Sequence, residues 1–227
     1  MIFLCLGDSL TAGYPGYNPS YDGISQGYGN NNSQYEFWLK QKCIEFMWEN
    51  EGKDLNIYKE LIFINKGIPG ELTSDLLARI QVDLISVKPK PDYSIIIGGT
   101  NDLGWGRRIE EIFENIKKLH EISRKNDIIS IGATIPPIRM EQSNIEYNKS
   151  KIQLNKLLKS YYNENDIPFV DLYNKMRDIH GNLRKECAYI DGLHFSVEGY
   201  KQMGFIIFED AIKEIIGEKF ELLDPYS

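Results

Sequence analysis

The sequence predicts a three-layer α/β fold, in which a parallel sheet is covered by helices on both faces. Short apolar runs alternate five times with longer amphipathic stretches, which is the pattern of successive right-handed βαβ units. The short runs are continuous, as in residues 94–97, and continuous runs are typical of strands buried on both sides. The chain has 227 residues, 42% of them hydrophobic, and no linker or internal repeat. One domain over residues 1–227 is therefore expected.

The boundaries of the elements follow from where each pattern starts and stops. The five predicted strands cover residues 2–6, 61–65, 93–98, 128–133 and 168–170. The five predicted helices cover residues 34–49, 73–87, 109–124, 146–163 and 197–216. In residues 73–87 and 109–124 the apolar residues recur at helical spacing.

One segment, residues 12–33, interrupts this alternation. It is rich in Gly, Tyr, Asn and Ser and has no hydrophobic period. Long loops inside a compact domain are often functional, and this one follows the first strand, at whose carboxyl end open α/β sheets bind ligands. The segment is either a surface insertion or a loop next to the active site. In the second case its tyrosines would line an apolar cleft: Tyr14, Tyr17, Tyr21 and Tyr28.

Composition and charge exclude several classes of protein. The formal net charge is −7, whereas a sequence-independent nucleic-acid binder needs a basic face. Three cysteines, an odd number, argue against a disulfide framework. There is no zinc-binding Cys or His spacing and no phosphate-binding Gly-Lys-Ser/Thr loop, so neither a metal nor another cofactor is expected.

The apolar run at residues 2–6 bears on localisation. It is short and lacks the basic flank of a secretory signal. No apolar run in the sequence approaches the ~18 residues of a membrane-spanning helix. These features predict a cytoplasmic protein without stable membrane insertion, or a secreted protein whose signal has been removed.

Candidate groups for nucleophilic catalysis stand near opposite ends of the chain. Ser9 directly follows the first strand and is preceded by Gly7 and Asp8, so its hydroxyl is expected at the edge of the sheet. The alternative is that it only caps a turn. Asp191 and His194 lie three residues apart just before the last helix. At this spacing a carboxylate can orient an imidazole and stabilise its protonated form, although either residue could instead cap the helix.

Hydrogen-bond donors follow the second and third strands. After the second strand, Gly67 and Gly70 leave backbone N–H groups that can face an anion. The alternative is an ordinary turn with Thr73 or Ser74 as N-cap. After the third strand, Asn101 follows two glycines and can direct its amide into the same crevice, or it can simply form a turn. Because the carboxyl ends of parallel strands meet at one edge, these donors are expected to lie near the candidate nucleophile.

The remaining histidines and Cys5 are expected to play no part in the chemistry. His120 lies on an amphipathic helix and His180 in a polar turn, and neither has an aspartate at a useful spacing. Both are interpreted as structural or solvated. Cys5 lies within a predicted buried strand and is interpreted as a core residue.

Four short blocks of this sequence resemble those of the SGNH, or GDSL-type, serine hydrolases, a family of esterases and lipase-like enzymes. The blocks are Gly7-Asp8-Ser9-Leu10, Gly70, Gly99-Thr100-Asn101-Asp102 and Asp191-Gly192-Leu193-His194. They occur in family order across nearly the whole chain. The resemblance implies a flavodoxin-like α/β/α sandwich with a five-stranded parallel sheet in the order 2-1-3-4-5. Two features depart from the family pattern: Glu71-Leu72 follows Gly70 where many members have Asp-Thr, and the loop 12–33 is long.

The resemblance also implies roles for the residues. Ser9 would be the nucleophile, His194 the general base and then acid, and Asp191 the residue that orients His194. The oxyanion hole would consist of the backbone N–H groups of Ser9 and Gly70 and the side-chain amide of Asn101. The residues expected to line the substrate site are Asp8, Leu10, Tyr14 and Leu193.

The leading hypothesis is a hydrolase that cleaves a small-molecule carboxylic ester, with short acyl esters of sugars or alcohols favoured over longer acyl esters, thioesters or lysophospholipids. No extended apolar stretch near the candidate site suggests a lipid channel. A hypothesis of another class is a non-catalytic binding module on the same fold. A flavin or nucleotide protein is disfavoured, because Asp8 would place a carboxylate where a phosphate would bind.

Overall fold

The computed structural model describes residues 1–15, 31–51, 61–139 and 144–220. Its centre is the predicted parallel sheet of five strands, and the order β2-β1-β3-β4-β5 is the one that the family resemblance implied. The strands are β1 (Ile2–Gly7), β2 (Ile62–Gly67), β3 (Tyr93–Ile97), β4 (Ile129–Ala133) and β5 (Phe169–Val170). Each predicted strand is found, with its ends within two residues of the expected positions.

Nine α-helices occur in the described part of the chain. They are α1 (Ser9–Ala12), α2 (Tyr35–Glu51), α3 (Thr73–Ile80), α4 (Thr100–Gly104), α5 (Ile109–Lys125), α6 (Ile145–Glu164), α7 (Leu172–Met176), α8 (Val197–Ile207) and α9 (Lys213–Lys219). A π-helical turn at Gln81–Ile85 extends α3, and another at Phe208–Ile212 joins α8 to α9. All five predicted helices are present. The short helices α1, α4 and α7 were not predicted, because one helical turn is too short to show an apolar period.

The sheet has a hydrophobic cluster on each face, and together with the helices they form the three predicted layers. Phe3 and Cys5 of β1 pack in the cluster that includes residues of α2, α8 and α9. Leu4 and Leu6 face the other way and pack with residues of α3 and α5. This alternation follows from the two-residue period of a strand. A third cluster joins α5 to α6. In the described ranges, no helix is both long enough and apolar enough to cross a bilayer.

The central strand sets the position of the candidate site. Gly7 at the end of β1 is paired with Gly67 of β2 and with Ile97 of β3, so the segments after these three strands start at the same edge of the sheet. Gly67 also allows a close approach. A Cβ atom at this position would lie 2.1 Å from the backbone nitrogen of Ala12, so a side chain here would push α1 away from the sheet.

Candidate active site

Ser9 is the first residue of α1, at the carboxyl end of the central strand. Asp8 caps this single-turn helix, because its Oδ1 accepts the N–H of Leu10 at 3.0 Å. The helix ends at Gly13, whose φ of +85° is a left-handed conformation that glycine adopts readily. The N–H groups of Gly13 and Tyr14 both donate to the carbonyl of Ser9 at 3.0 Å. The turn therefore holds the serine with its side chain at the sheet edge.

Asp191 and His194 lie on the loop before α8, and this loop reaches Ser9. His194 Nε2 is 2.9 Å from Ser9 Oγ, and His194 Nδ1 is 2.7 Å from Asp191 Oδ2. The loop is closed by backbone bonds, including one from the N–H of Tyr189 to the carbonyl of His194 at 2.8 Å. Residues 185 positions apart in the chain thus form one chain of hydrogen bonds from carboxylate to imidazole to hydroxyl.

The protonation state of Asp191 follows from the donors around it. Partial burial by itself would raise its pKa, but hydrogen bonds from the His194 side chain and from the N–H groups of His194 and Leu193 outweigh this effect and lower the pKa. A charged carboxylate beside Nδ1 favours the tautomer with its proton on Nδ1. In that tautomer Nε2 is the acceptor that faces the hydroxyl of Ser9.

Gly70 provides a backbone donor at the end of the turn after β2. Its φ is +83°, and a Cβ at this position would meet nothing within 4 Å, so the turn faces open space. Within the described ranges, the N–H of Gly70 and that of Ser9 make no hydrogen bond. The N–H of Gly67, the other glycine considered, donates to Asn65 Oδ1 at 2.8 Å. Of the two glycines, Gly70 is therefore the one with an N–H free to face a ligand.

Asn101 lies in the first turn of α4, directly after β3. Its Nδ2 donates to the carbonyl of Glu71 at 2.9 Å, which places the amide beside the residue that follows Gly70. An amide nitrogen carries two hydrogens, so this bond uses one and leaves the second for another acceptor. The bond also fixes the orientation of the amide, which is the property a preorganised donor needs.

Two contacts that were not predicted from the sequence connect the turns of the site. The carboxylate of Asp102 accepts the N–H of Thr73 at 2.9 Å and its hydroxyl at 2.6 Å, so the start of α3 is bonded to α4. The sequence suggested Thr73 as the N-cap of α3, but the helix begins at Thr73 and its N-cap is Leu72. The N–H of Leu72 donates to the carboxylate of Asp75. A Thr and an Asp 29 positions apart carry no signal of this pairing in the sequence.

Arg79 is the second unpredicted contact. From α3 its guanidinium donates to the Glu71 carboxylate at 2.7 Å and to the carbonyls of Gly7 and Lys66 at 3.0 and 2.8 Å. It therefore joins the turn that carries Gly70 to the ends of β1 and β2. An arginine on an amphipathic helix is expected to lie in solvent, so nothing in the sequence singled out Arg79.

The four residues expected to line the substrate site fall into two groups. Asp8 and Leu10 are 1% and 2% exposed, and Leu10 belongs to the core beneath α1. Leu10 packs in the core, so the expectation that it lines the substrate site is not met. Tyr14 and Leu193 are partly exposed at the site, and the ring of Tyr14 lies against His194. The expected cleft tyrosines Tyr17, Tyr21 and Tyr28 lie outside the described residues.

Two buried carboxyl groups lie close to α1. Burial raises the pKa of Asp8 to about 7, and the nearby charges of Asp102 and Glu71 add to the effect, while the Leu10 N–H opposes it. Burial raises the pKa of Glu36 on α2 to about 8. Glu36 accepts a hydrogen bond from Asn65 at 3.1 Å, and the same amide donates to the carbonyl of Thr11 in α1.

The residues interpreted as structural lie away from this site. His120 is buried on α5 and its Nδ1 is 2.8 Å from the hydroxyl of Ser130, whereas His180 is exposed. The cysteines are free and buried, and Cys5 lies in the core as expected. Among the described residues, no group of three or more His, Cys, Asp or Glu side chains is arranged to hold a metal ion.

The model of the GDSL-like lipase/acylhydrolase family matches residues 5–202 of this chain. Among solved structures, a lipolytic protein of the G-D-S-L family from Desulfitobacterium hafniense is 22% identical with a TM-score of 0.70, and the match covers 92% of this chain and 98% of that one. The lipase/acylhydrolase from Enterococcus faecalis is 25% identical with a TM-score of 0.69, covering 96% of both chains. An acetyl xylan esterase from Geobacillus stearothermophilus is 21% identical with a TM-score of 0.68, covering 92% and 93%.

A curated relative shares part of its sequence with this chain. The N-acylneuraminate cytidylyltransferase of Streptococcus agalactiae is 32% identical over 120 residues, which are 52% of this chain and 28% of the relative. The chain thus matches less than a third of the length of that relative.

Proposed function

Because this chain belongs to the GDSL-like lipase/acylhydrolase family, we propose that it hydrolyses a carboxylic ester through an acyl-enzyme formed on Ser9. The observation that carries this proposal is the chain of hydrogen bonds from Asp191 to His194 to Ser9, with distances of 2.7 and 2.9 Å. A serine hydroxyl is a weak nucleophile until a neighbouring base accepts its proton, and this geometry supplies the base and the group that orients it.

In the acylation step, Ser9 Oγ attacks the ester carbonyl carbon while its proton passes to His194 Nε2. The carbonyl π-bond electrons move onto the oxygen and form a tetrahedral oxyanion. When the intermediate collapses, the bond to the alkoxy oxygen breaks, and His194 returns the proton to this leaving group. The products are an alcohol and an acyl-Ser9 ester. Asp191 stabilises the imidazolium through the bond to Nδ1.

The oxyanion would be bound by three donors: the N–H groups of Ser9 and Gly70 and the second amide hydrogen of Asn101. The two backbone N–H groups lack partners in the described ranges, and the bond to the Glu71 carbonyl orients the amide. Such donors act because they already point at the position where charge develops, and each is worth about 10²- to 10³-fold in turnover.

Deacylation repeats the same steps with water as the nucleophile. His194 Nε2 removes a proton from the water, whose oxygen attacks the acyl carbon of acyl-Ser9. The second tetrahedral intermediate uses the same donors. Its collapse breaks the bond to Ser9 Oγ, which recovers a proton from His194, and the carboxylic acid is released.

We propose a short acyl group, such as acetyl, on a carbohydrate as the substrate class. One structural neighbour is an acetyl xylan esterase, and the curated relative is named for a reaction of N-acylneuraminate, a sugar acid. The alternative is a longer acyl ester or thioester, as for a lysophospholipase or thioesterase. A hydrolysis series from acetyl to palmitoyl 4-nitrophenyl esters separates the two. Rates that fall with chain length agree with the proposal, and rates that rise toward palmitoyl support the alternative.

The nucleophile is tested with Ser9→Ala. This change should lower kcat for 4-nitrophenyl acetate by at least about 10³-fold, because no hydroxyl remains to be acylated. A fluorophosphonate probe should label the native chain at Ser9 and leave Ser9→Ala unlabelled. The matched control is Ser130→Ala, which removes a hydroxyl bonded to His120 and should keep its labelling and turnover.

Two results would contradict the proposal. Turnover unchanged by Ser9→Ala would remove Ser9 as the nucleophile. If the folded native chain neither turns over any ester of the series nor reacts with the probe, the hypothesis of a non-catalytic binding module on this fold would be correct instead.

A further inference from the structure

The ring of Tyr14 lies directly against the imidazole of His194. The two ring centroids are 4.4 Å apart and their planes are tilted by 59°. The sequence placed Tyr14 among the residues that line the substrate site. In the structure its ring contacts the imidazole, and the residue is 38% exposed. This contact points to a function of Tyr14 that acts through His194.

The backbone holds Tyr14 in this position from two sides. Its N–H donates to the carbonyl of Ser9 at 3.0 Å, so it is bonded to the turn that carries the candidate nucleophile. Its carbonyl accepts a hydrogen bond from the hydroxyl of Tyr200 on α8. The helix that follows the His194 loop and the turn that carries Ser9 therefore both fix the tyrosine backbone.

The charge of His194 changes during the proposed reaction. The neutral imidazole is the form that acts as the base, and it becomes an imidazolium when it accepts the proton of Ser9. The face of an aromatic ring carries negative electrostatic potential and attracts a cation within about 6 Å of its centroid. A ring at 4.4 Å therefore stabilises the charged imidazole more than the neutral one.

We propose that Tyr14 is a positioning residue for His194, whose ring holds the imidazole toward Ser9 and stabilises the imidazolium formed in both steps of the reaction. This rests on the proposed function of Ser9 and His194. The other groups that face His194 are Asp191 on its own loop and Ser9 on α1. Asp8 precedes Ser9, and the hydroxyl of Tyr200 donates to the carbonyl of Tyr14; a substitution of Tyr14 changes neither of these ionisable side chains.

Three variants separate the ring from its hydroxyl and from general effects at this loop. Tyr14→Phe keeps the ring, and Tyr14→Leu removes it. The matched control is Tyr189→Leu. Tyr189 is also a partly exposed tyrosine, at 42%, and lies two residues before Asp191; its side chain makes no ring contact within the described ranges.

The first measurement is the NMR titration of His194, which needs no substrate. The chain has three histidines, and burial lowers the pKa of His120 to about 3. A His180→Gln variant assigns the signals of the two other histidines, His180 and His194. Loss of the ring removes a contact that favours the charged form. The His194 midpoint in Tyr14→Leu should therefore lie about 0.5–1 pH unit below that of the native chain, with little change in Tyr14→Phe or Tyr189→Leu.

The second measurement is the hydrolysis of 4-nitrophenyl acetate. Tyr14→Leu should lower kcat about 3- to 30-fold with KM within about twofold, because the ring acts on the charged imidazole and not on the bound ester. The acid limb of its pH profile should move to lower pH together with the midpoint. Tyr14→Phe and Tyr189→Leu should stay within about twofold of the native chain.

Each other outcome overturns a defined part of the proposal. An unshifted midpoint in Tyr14→Leu shows that the ring does not stabilise the imidazolium. A rise in KM alone shows that Tyr14 binds substrate, and an equal loss in Tyr14→Phe shows that the hydroxyl is what matters. If the midpoint shifts but neither the native chain nor any variant hydrolyses an ester or reacts with a fluorophosphonate, the proposed function fails while the contact with His194 stands.

Discussion

Asp191 is bonded to His194 and Asp8 precedes Ser9, yet the pKa values of these two aspartates are shifted in opposite directions. The side chain of Asp191 is 36% exposed and accepts hydrogen bonds from the imidazole and from two backbone N–H groups. Asp8 is 1% exposed and accepts one N–H, and its Oδ2 has no hydrogen bond within the described ranges. The pKa of Asp191 is lowered, and that of Asp8 is raised to about 7.

The difference shows what keeps a carboxylate charged at this edge of the sheet. Removal from water raises both pKa values, and only a sufficient number of donors reverses the effect. The loop before α8 supplies these donors to the partly exposed Asp191, whereas Asp8 and Glu36 are fully buried and the hydrogen bonds they accept do not offset the loss of hydration. The molecule therefore keeps a charged carboxylate where the proposed imidazolium forms and carboxyl groups that readily take up a proton beneath the nucleophile.

The largest effect is expected from Asp191→Asn, which removes the charged carboxylate of the two aspartates compared above. The amide keeps the shape but removes the charge, and it can stabilise the wrong tautomer of His194. We expect kcat for 4-nitrophenyl acetate to fall by about 10⁴-fold. Circular dichroism of the variant checks that the fold is retained. A loss of less than about tenfold would show that Asp191 does not orient His194 in the reaction.

The next largest effect is expected from Glu36→Gln, measured as the free energy of unfolding in urea at about pH 5 and about pH 8. The folded pKa of Glu36 is raised from 4.5 to about 8. The folded state thus holds a proton that the unfolded state has lost, and stability falls as pH rises through this window. Glutamine keeps the acceptor for Asn65 but does not titrate. Between the two pH values, the free energy of unfolding should therefore fall in the native chain by on the order of 3 kcal/mol more than in the variant.

A matched control for this prediction is Glu45→Gln on the same helix. Glu45 is partly exposed and paired with Lys42 at 2.7 Å, so its neutralisation should leave the pH dependence of unfolding nearly unchanged. Equal pH dependence in Glu36→Gln and the native chain would mean that Glu36 is charged in the folded state.

Asp8→Asn should have the smallest of the three effects, and it tests whether burial raises the pKa of Asp8. The folded pKa of Asp8 is raised from 3.8 to about 7, so its contribution to stability is present at acid pH and is lost as pH rises from about 4 to about 7. Asparagine retains an oxygen for the Leu10 N–H. Between about pH 5 and about pH 8, the free energy of unfolding measured in urea should therefore fall in the native chain by on the order of 2 kcal/mol more than in the variant. An increase in pH dependence would contradict the raised pKa.

Much of the fold could be predicted from local patterns. The central strands β1 and β3 are nearly continuous apolar runs, because helices cover both faces of the sheet. The helices α3 and α5 carry a clear apolar period, so their positions were also predicted. The single-turn helices α1 and α4 were not, although they carry Ser9 and Asn101, because their lengths depend on the turns around them.

The candidate site was predicted in its members more than in its contacts. Ser9, His194 and Asp191 were singled out from short blocks, and the structure brings them together. The contact of Tyr14 with His194 and the interior position of Leu10 were not predicted. Neighbours in sequence can face opposite directions from a single-turn helix, and no periodic pattern marks which of them faces the core.

The sequence by itself determined the alternation of strands and helices and the four short blocks of polar residues and glycines, three of them after strands and one before α8, because both are patterns within a few neighbouring positions. Only the tertiary structure decided how these residues meet. Ser9 Oγ lies 2.9 Å from an imidazole 185 positions away, and the ring of Tyr14 contacts that imidazole. The guanidinium of Arg79 connects the turn that carries Gly70 to the ends of the sheet strands. The tertiary structure also decided which carboxyl groups carry charge, because burial and the number of nearby donors are set by segments that are distant in the chain.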